Sequence, residues 1–243
     1  MIRFEEVYKT FRVGRGNKVA AVQGLSLDVA SGEVFGCIGP NGAGKSTSIK
    51  LLLDLIRPDS GTITIKSLSS RVEASRARVG YLPENPYLYD FLTAHEYLKY
   101  SGRLSGLSSS IIAERSNLLL EKLRLPQAAN RCINGYSKGM QQRTAIAAAL
   151  IHDPDLIVLD EPMSGLDPLG RKLIFDLIAE LKQQGKTVFI SSHVLTDIER
   201  LCDRVGIIVQ GRLCLEGLVS DFTVPLEELF LQVVADAGLD EVR

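Results

Sequence analysis

The stretch "GPNGAGKSTSIKLLL", Gly39 to Leu53, decides the fold of this chain. A glycine-rich loop leads directly into an apolar helix, and the spacing of Gly39, Gly44, Lys45 and Ser46 matches the phosphate-loop pattern G-x-x-x-x-G-K-[ST]. Glycines let the backbone curl so that several N–H groups point at one anion, and the helix adds its positive end. The stretch therefore predicts a nucleotide phosphate site, with Lys45 on the outer phosphates and the Ser46 hydroxyl on Mg²⁺.

The segments on either side of this loop alternate between strand and helix patterns. "IRFEEVY", "LSLDV" and "EVFGCIG" predict strands before the loop, whereas "LIVLD" and "TVFISS" are continuous apolar runs typical of strands buried on both faces. A strand directly before the loop argues against the alternative of an ordinary glycine turn ahead of a helix. We therefore expect an α/β fold with a mainly parallel sheet.

Helical periodicity dominates the middle of the chain. "LTAHEYLKYSGRL", "SSIIAERSNLLLEKLRL" and "SKGMQQRTAIAAALI" repeat apolar residues with a helical period, which predicts a helical lobe inserted between strands at about residues 90–150. We also expect a helix over Lys45 to Leu55, a closing strand pair at "RVGIIV" and "RLCLEG", and a short amphipathic helix after Pro225.

Composition excludes several classes of protein. A chain of 243 residues with net charge −1 fits one large domain, with or without a smaller lobe, and gives no electrostatic reason to expect nucleic-acid binding. The four cysteines are widely scattered, so we expect reduced thiols rather than a zinc or redox motif. No apolar run approaches the ~20 residues of a membrane span and no signal-peptide pattern is visible, so we expect the chain to stay in the cytoplasm.

Two acids follow the apolar strand of "LIVLDEP". Asp160 at the strand tip is placed to hold Mg²⁺, and Glu161, turned differently, can activate a water molecule. A strand that merely ends in a charged turn is a common alternative. "YSKGMQQR", residues 136–143, opens a further helix with a serine, a lysine and a glycine, which suits an anion or serves as an ordinary cap.

In chain order, the phosphate loop, "YSKGMQQR", "LIVLDEP", "SGLD" and "SSH" resemble the nucleotide-binding domain of ATP-binding cassette (ABC) transporters, over about residues 2–217. The resemblance implies a P-loop NTPase with a RecA-like core, an N-terminal antiparallel β subdomain and an inserted α-helical subdomain. It implies an ABC ATPase domain over residues 1–220 and a short C-terminal helical tail over residues 221–243.

The resemblance also implies how the nucleotide is held. Two such domains pair head to tail, and each ATP lies between the phosphate loop of one and the signature helix of the other. Ser137 and Gly139 match the signature residues that contact the γ-phosphate across this interface. Lys138 and Met140 depart from the commoner LSGGQ pattern, but similar signatures occur in an export branch of the family.

Other roles carry over position by position. Phe11 matches the aromatic residue that stacks on adenine, with Tyr8 as the runner-up. Glu161 matches the general base, His193 the switch histidine that contacts the γ-phosphate and the water, and Asp167 the acid that links the two sites of the dimer. The expected phosphate-loop contacts are Gly39, Pro40, Asn41, Gly42, Ala43, Gly44, Lys45, Ser46 and Thr47.

One position departs from the family pattern. Glu84 in "YLPENPYLYDF" stands where the family usually presents a glutamine to Mg²⁺ and the water, and a carboxylate there adds negative charge beside the phosphates. An apolar, aromatic run follows it and predicts either packing between lobes or a groove that grips a helix of a membrane partner. Its residues are Pro86, Tyr87, Leu88, Tyr89, Phe91 and Leu92.

The resemblance thus implies an ATPase that uses ATP and Mg²⁺ and drives a separate polytopic permease of an export type. It would pair with a second ATPase subunit, bind no nucleic acid, and sit on the inner face of the cell membrane through its permease. One alternative is a non-transport ABC ATPase that acts on a soluble assembly such as an iron–sulfur cluster scaffold. A binding module without turnover is disfavoured by Asp160, Glu161 and His193.

Overall fold

The computed structural model describes residues 1–14 and 16–238. The strands are β1 (Ile2–Val13), β2 (Asn17–Val29), β3 (Val34–Ile38), β4 (Ser60–Ile65), β5 (Leu68–Ser69), β6 (Val79–Leu82), β7 (Leu156–Asp160), β8 (Thr187–Ser192), β9 (Arg204–Val209) and β10 (Arg212–Leu218). The α-helices are α1 (Lys45–Leu52), α2 (Glu73–Arg76), α3 (Ala94–Leu104), α4 (Ser109–Lys122), α5 (Lys138–Leu150), α6 (Pro168–Gln183), α7 (Leu195–Leu201) and α8 (Leu226–Asp236).

The chain divides into two compact units. The first unit combines residues 1–76 with residues 187–243, and the second unit is residues 77–186. In the first unit, β1 pairs antiparallel with β2 and β4, and β5 pairs with β4 at the edge, in the order β2-β1-β4-β5. This sheet is the antiparallel β subdomain that the sequence predicts.

The remaining strands of the first unit, β3, β8, β9 and β10, pair mainly in parallel. β3 pairs parallel with β8 on one side and with β9 on the other, and β10 returns antiparallel along β9. Every residue of β3 and β8 is buried, and Phe35 stacks on Phe189 across the pair with ring centroids 5.7 Å apart. Strands covered on both faces explain why both runs are continuously apolar.

The second unit begins with a strand, continues through helices and returns to a strand. β6 and β7 pair in parallel, and between them the chain forms α3, α4 and α5, which pack against one another. A capping box of Thr93 and Glu96 starts α3, and Asp167 caps α6 with proline at the first helical position. An added Cβ on Gly102 would lie 2.7 Å from Ile112, so α3 and α4 approach closely because the glycine lacks a side chain.

Two predicted helices end earlier in the structure. The expected helix over Lys45 to Leu55 stops at Leu52, because Asp54 adopts a left-handed φ of 54° and the N–H of Leu55 bonds to the carbonyl of Lys50. Likewise α4 stops at Lys122, where Arg124 has a φ of 54°. Neither of these left-handed residues is a glycine, so no glycine stop signal is visible in the sequence.

The C-terminal segment contains α8, which starts directly after Pro225 as the sequence predicts. The expected tail over residues 221–243 extends past the described part of the chain, so residues 239–243 lie outside it. Among the described helices, none combines the length and the apolar character that crossing a bilayer requires.

Candidate functional site

The phosphate loop connects the buried strand β3 to helix α1 in the first unit. A Cβ added to Gly39 would lie 2.2 Å from the carbonyl oxygen of Ile208, and one added to Gly44 would lie 2.4 Å from that of Ala21. Gly44 also has a φ of 107°, a conformation that side chains rarely adopt. A side chain at the first or last glycine of the pattern would collide with a neighbouring backbone carbonyl, so both positions require glycine. The loop is therefore a tight backbone cradle.

Lys45 lies inside this loop with only 8% of its surface exposed. Its Nζ donates to the carbonyl oxygens of Gly39, at 2.6 Å, and Pro40, at 3.1 Å. An ammonium group carries three donors, so these two bonds leave one for an anion. Gly44 offers no side-chain cap to α1 and no acidic residue lies in the first turn, so the positive helix end is open to phosphate as well.

His193 leaves the sheet beside the phosphate loop. In the parallel pair of β3 and β8, Ile38 is the partner of Ser192, so Gly39 and His193 directly follow paired residues at the same edge. The Oγ of Ser192 accepts from the N–H of Val194 and turns the chain there. The first unit therefore brings together the predicted phosphate loop and the predicted switch histidine.

The two predicted acids of "LIVLDEP" lie at the end of β7 in the second unit. Asp160 is 3% exposed, and its charge adds to burial in raising the pKa of Tyr81 to about 12. Glu161 has a φ of 52°, an uncommon left-handed conformation that turns it away from the line of the strand. Because Leu82 pairs with Leu159, Glu84 leaves β6 at the same edge from which Asp160 and Glu161 leave β7.

The signature segment contacts the loop that follows Glu161, also within the second unit. Ser137 caps α5, its Oγ accepting from the N–H of Met140 at 3.3 Å. A Cβ on Gly139 would lie 3.4 Å from Leu166, and the Nε2 of Gln142 donates to the carbonyl of Pro162 at 3.2 Å. "YSKGMQQR", "LIVLDEP" and "SGLD" thus form one packed cluster.

One residue of this cluster was not singled out from the sequence. Gln142 is 4% exposed and links α5 to the segment after Glu161. The side chain of Lys138, noted in the sequence only as a departure from the signature pattern, packs against Gly165. Nothing in a glutamine near a helix start distinguishes it from a surface residue. A buried polar side chain that bonds a distant carbonyl is visible only in the folded chain.

The predicted adenine-stacking residues lie on β1. Phe11 is 36% exposed and has the Nζ of Lys9 5.7 Å from its ring centroid. Tyr8 is 43% exposed, and its hydroxyl bonds to the carboxylate of Glu6. Both rings have an accessible face, so the assignment of adenine stacking to Phe11 with Tyr8 as runner-up stays a prediction.

The aromatic run after Glu84 borders a cavity of about 250 Å³ within the second unit. We call this cavity the aromatic groove, and its walls include Pro83, Pro86, Tyr87, Leu88, Tyr97 and His152. Tyr87 is 88% exposed and Phe91 is 69% exposed, whereas Leu88 is buried. Exposed aromatic residues beside a concave surface are typical of a protein-binding site.

Residues 22–164 match the sequence model of the ABC transporter family, and this segment includes the phosphate loop, "YSKGMQQR" and "LIVLDEP". The chain belongs to the ABC transporter family. The match confirms the resemblance on which the fold prediction rests.

Individual relatives agree with this assignment. The chain is 44% identical to an uncharacterized ABC transporter ATP-binding protein of Synechocystis sp. over 220 residues, which are 89% of this chain and 62% of that protein. It is 40% identical to the Nod factor export ATP-binding protein I of Paraburkholderia xenovorans over 99% of this chain and 78% of that protein. The chain therefore spans 62% of the length of the first relative, which is less than two thirds, and 78% of the length of the second.

A solved ATP-binding cassette supports the fold of this ABC protein. That structure is a dimer in a post-hydrolysis state bound to ADP and Pi, and it matches with a TM-score of 0.84 and 26% identity over 91% of this chain and 100% of the other. The mixed α/β architecture with a P-loop NTPase core, predicted from the sequence, is confirmed by this likeness.

The donor groups of this ABC protein fit a Mg²⁺–nucleotide better than a metal bound by protein ligands alone. Among the described residues, no group of three or more His, Cys, Asp or Glu side chains could hold a metal ion. Mg²⁺ is usually bound through one or two protein oxygens together with phosphates and water, which one hydroxyl and one carboxylate satisfy. Ser46 in the first unit is such a hydroxyl, and the buried Asp160 and Glu84 in the second unit are such carboxylates, so each unit offers oxygens of the required kind.

Proposed function

We propose that this chain is the ATP-binding and ATP-hydrolysing subunit of an ABC exporter. It binds ATP with Mg²⁺, pairs head to tail with a second ATPase subunit, and drives a separate polytopic permease from the inner face of the cell membrane. The Nod factor export relative, with which 99% of this chain aligns, supports the export direction.

The buried ammonium of Lys45 is the observation that carries this proposal. A buried charge is costly unless it is paired, and the two hydrogen-bond acceptors of Nζ are neutral carbonyls of the phosphate loop itself. The loop therefore holds a buried positive charge. Beside it, the glycines have no side chains that would keep an anion away from the backbone. A triphosphate provides that anion, and Lys45 would hold its outer phosphates as a point charge.

The acids of β7 and the switch histidine would contribute to the remaining functions, which are metal binding, activation of water and contact with the γ-phosphate. Ser46, Asp160 and Glu84 would hold Mg²⁺, which when bound neutralises phosphate oxygens. Glu161 would orient the attacking water and accept its proton, and its left-handed backbone aims the carboxylate differently from that of Asp160. His193 would contact the γ-phosphate from the strand next to the loop.

Pairing of two subunits would complete each site. Ser137 and Gly139 would reach the γ-phosphate of the partner's nucleotide, and Asp167 would link the two sites. The N-terminal end of α5 suits this role because no acidic residue lies in its first turn. The dimeric form of the solved cassette supports the arrangement.

The test is the substitution Glu161→Gln. We expect the variant to bind ATP, to hydrolyse it at least about 100-fold more slowly because the general base is lost, and to accumulate as a dimer in ATP. Turnover is measured as phosphate release and pairing by size-exclusion chromatography. The control is Glu121→Gln, an exposed carboxylate of α4 whose loss should leave both readings unchanged.

Turnover at the wild-type rate in Glu161→Gln would show that Glu161 is not the base. Purification from source-cell membranes addresses the transport part separately. An active ATPase that never co-purifies with a polytopic membrane protein would instead favour the non-transport alternative, such as a cluster-assembly ATPase.

A further inference from the structure

Gln142 is a buried polar side chain of helix α5 that none of the proposed catalytic roles uses. Its Nε2 lies 3.2 Å from the carbonyl oxygen of Pro162, the residue directly after Glu161. A carbonyl oxygen only accepts, so the partner is the amide nitrogen of Gln142 and not its amide oxygen. Gln142 is 4% exposed and Pro162 is also buried, so loss of this donor would leave a buried carbonyl unpaired.

Residues 161–164 form a tight turn, which we call the Glu161 turn. The carbonyl of Glu161 accepts from the N–H of Ser164 at 3.1 Å, and Pro162 suits the second position of such a turn because its ring fixes φ. The carbonyl of Pro162 instead accepts from Gln142, which is 20 residues earlier in the chain. The local bond therefore defines the shape of the turn, and the bond from Gln142 attaches the turn to α5.

The turn begins with an unfavourable backbone conformation. Glu161 has a φ of 52°, in the left-handed region that residues with a side chain rarely adopt. Such a conformation persists only where the surrounding structure fixes it. The backbone at Glu161 sets the direction of its Cα–Cβ bond and hence the region that its carboxylate can reach. A group that fixes the next residue, Pro162, therefore also acts on the position of the Glu161 side chain.

The helix that carries Gln142 is itself anchored. Arg143, the next residue, donates from Nη1 to the carbonyl of Leu123 at 2.8 Å and from Nε to the carbonyl of Gly139 at 3.2 Å. Leu123 is the residue after α4, so Arg143 joins α5 to the end of α4. Gln142 thus donates from a fixed element and can impose a position on the turn.

Other contacts between α5 and the loop after Glu161 are made by packing. A Cβ on Gly139 would lie 3.4 Å from Leu166, and the aliphatic part of Lys138 packs against Gly165. Packing contacts are non-directional, whereas a hydrogen bond has a preferred angle at both partners. The bond from Gln142 therefore supplies an orientation that these contacts do not.

We propose that Gln142 is a positioning residue for the general base. Its bond to the carbonyl of Pro162 holds the Glu161 turn, and with it the carboxylate of Glu161, where the base acts on water. This inference rests on the proposed function, in which Glu161 is that base and Gln142 has no contact with nucleotide, metal or water. The alternative is a buried glutamine whose hydrogen bond contributes only to stability.

The test uses the full chain as an ATPase, with Gln142→Met as the variant. Methionine has a similar length and no donor, so the carbonyl of Pro162 loses its partner. We expect kcat for phosphate release to fall at least about tenfold because the base is displaced, while KM and the ATP affinity stay at wild-type values. The matched control is Thr144→Val, which removes a buried hydroxyl of α5 that donates within the helix to the carbonyl of Met140. Its kcat should equal that of the wild type.

A double variant separates positioning from stability. In the Glu161→Gln background the base is already absent, so addition of Gln142→Met should not lower the residual rate further. A role in stability alone would reduce the active fraction of the protein, and would lower the rate by the same factor in both backgrounds.

Hydrogen exchange reports on the Glu161 turn independently of ATP turnover. The N–H of Ser164 bonds to the carbonyl of Glu161, so its exchange rate measures opening of the turn. In Gln142→Met this exchange should be about tenfold faster, the effect of one lost hydrogen bond that leaves a buried carbonyl unpaired. In Thr144→Val it should match the wild type. If Gln142→Met does not fold, Gln142→Asn, whose amide is one methylene shorter, replaces it in every measurement.

Three outcomes would overturn the positioning role and leave the exporter proposal intact. They are a wild-type kcat in Gln142→Met, an equal loss of rate in both backgrounds, and unchanged exchange at Ser164. A wild-type rate in Glu161→Gln would instead overturn the assignment of the general base, and this inference with it.

Discussion

The two units of this ABC protein hold their functional groups by different means. In the first unit, the proposed phosphate contacts all belong to one contiguous loop, residues 39–47, which offers backbone N–H groups and one lysine. In the second unit, the functional side chains come from four elements, β6, α5, β7 and α6, and meet through packing. A contiguous backbone site is readable as a motif, whereas a site made of dispersed side chains depends on the fold.

Backbone conformation shows the same contrast. The left-handed positions of the phosphate loop are Gly42 and Gly44, which adopt positive φ without steric cost. In the second unit the left-handed position next to the chemistry is Glu161, a residue with a side chain, and such a conformation costs about 1–3 kcal/mol. The phosphate loop therefore avoids this strain by its choice of residue, whereas the turn after β7 carries it at Glu161.

The largest expected effect that tests this contrast is the substitution Lys45→Ala. Loss of the buried ammonium should weaken ATP binding about 100-fold, because charge-assisted contacts to phosphate are lost. Isothermal titration calorimetry with ATP measures the change. Lys50→Ala removes an exposed lysine from the same helix and should leave affinity unchanged. Normal ATP affinity in Lys45→Ala would contradict the phosphate-loop assignment.

A smaller effect, on stability, is expected for Gly39→Ala. The new Cβ would lie 2.2 Å from a backbone carbonyl, so the strand next to the loop must shift, at a cost of at least about 2 kcal/mol in the free energy of unfolding. Urea unfolding measures it. Gly135→Ala is the control in the second unit, because its Cβ would meet only an arginine side chain at 3.6 Å. If the two variants were equally stable, a lack of space for a side chain would not be the reason for glycine at position 39.

The smallest expected effect concerns Ser137 and separates capping from nucleotide contact. Ser137→Ala should lower the free energy of unfolding by about 1 kcal/mol through loss of the α5 cap, and Ser137→Asn should restore it because asparagine caps well. If Ser137 also reaches the partner's γ-phosphate, both variants should dimerise less in ATP. Full ATP-dependent dimerisation of Ser137→Asn would leave the serine as a helix cap alone.

Motifs indicated where the candidate residues lie relative to the strands, and the folded structure added contacts that the motifs did not indicate. The sequence placed Gly39, Lys45, Asp160 and His193 at strand ends, and the structure has them at the ends of β3, β7 and β8 or in the loops that follow. It could not indicate that Gln142 joins α5 to Pro162, because that bond spans residues distant in the chain. The roles of all the candidate site residues in binding and hydrolysing nucleotide, those of Phe11, Glu84 and Asp167 included, remain predictions.

The sequence by itself determined the phosphate loop, the buried parallel strands and the family, because the spacing of glycines, the apolar runs and the order of the motifs are properties of the linear chain. Tertiary structure alone decided where α1 and α4 end, since the left-handed residues that follow these helices, Asp54 and Arg124, are not glycines. It also decided that His152 lies in the wall of the aromatic groove with its Nε2 near the carbonyl of Val79, because that environment is made by residues far apart in the chain.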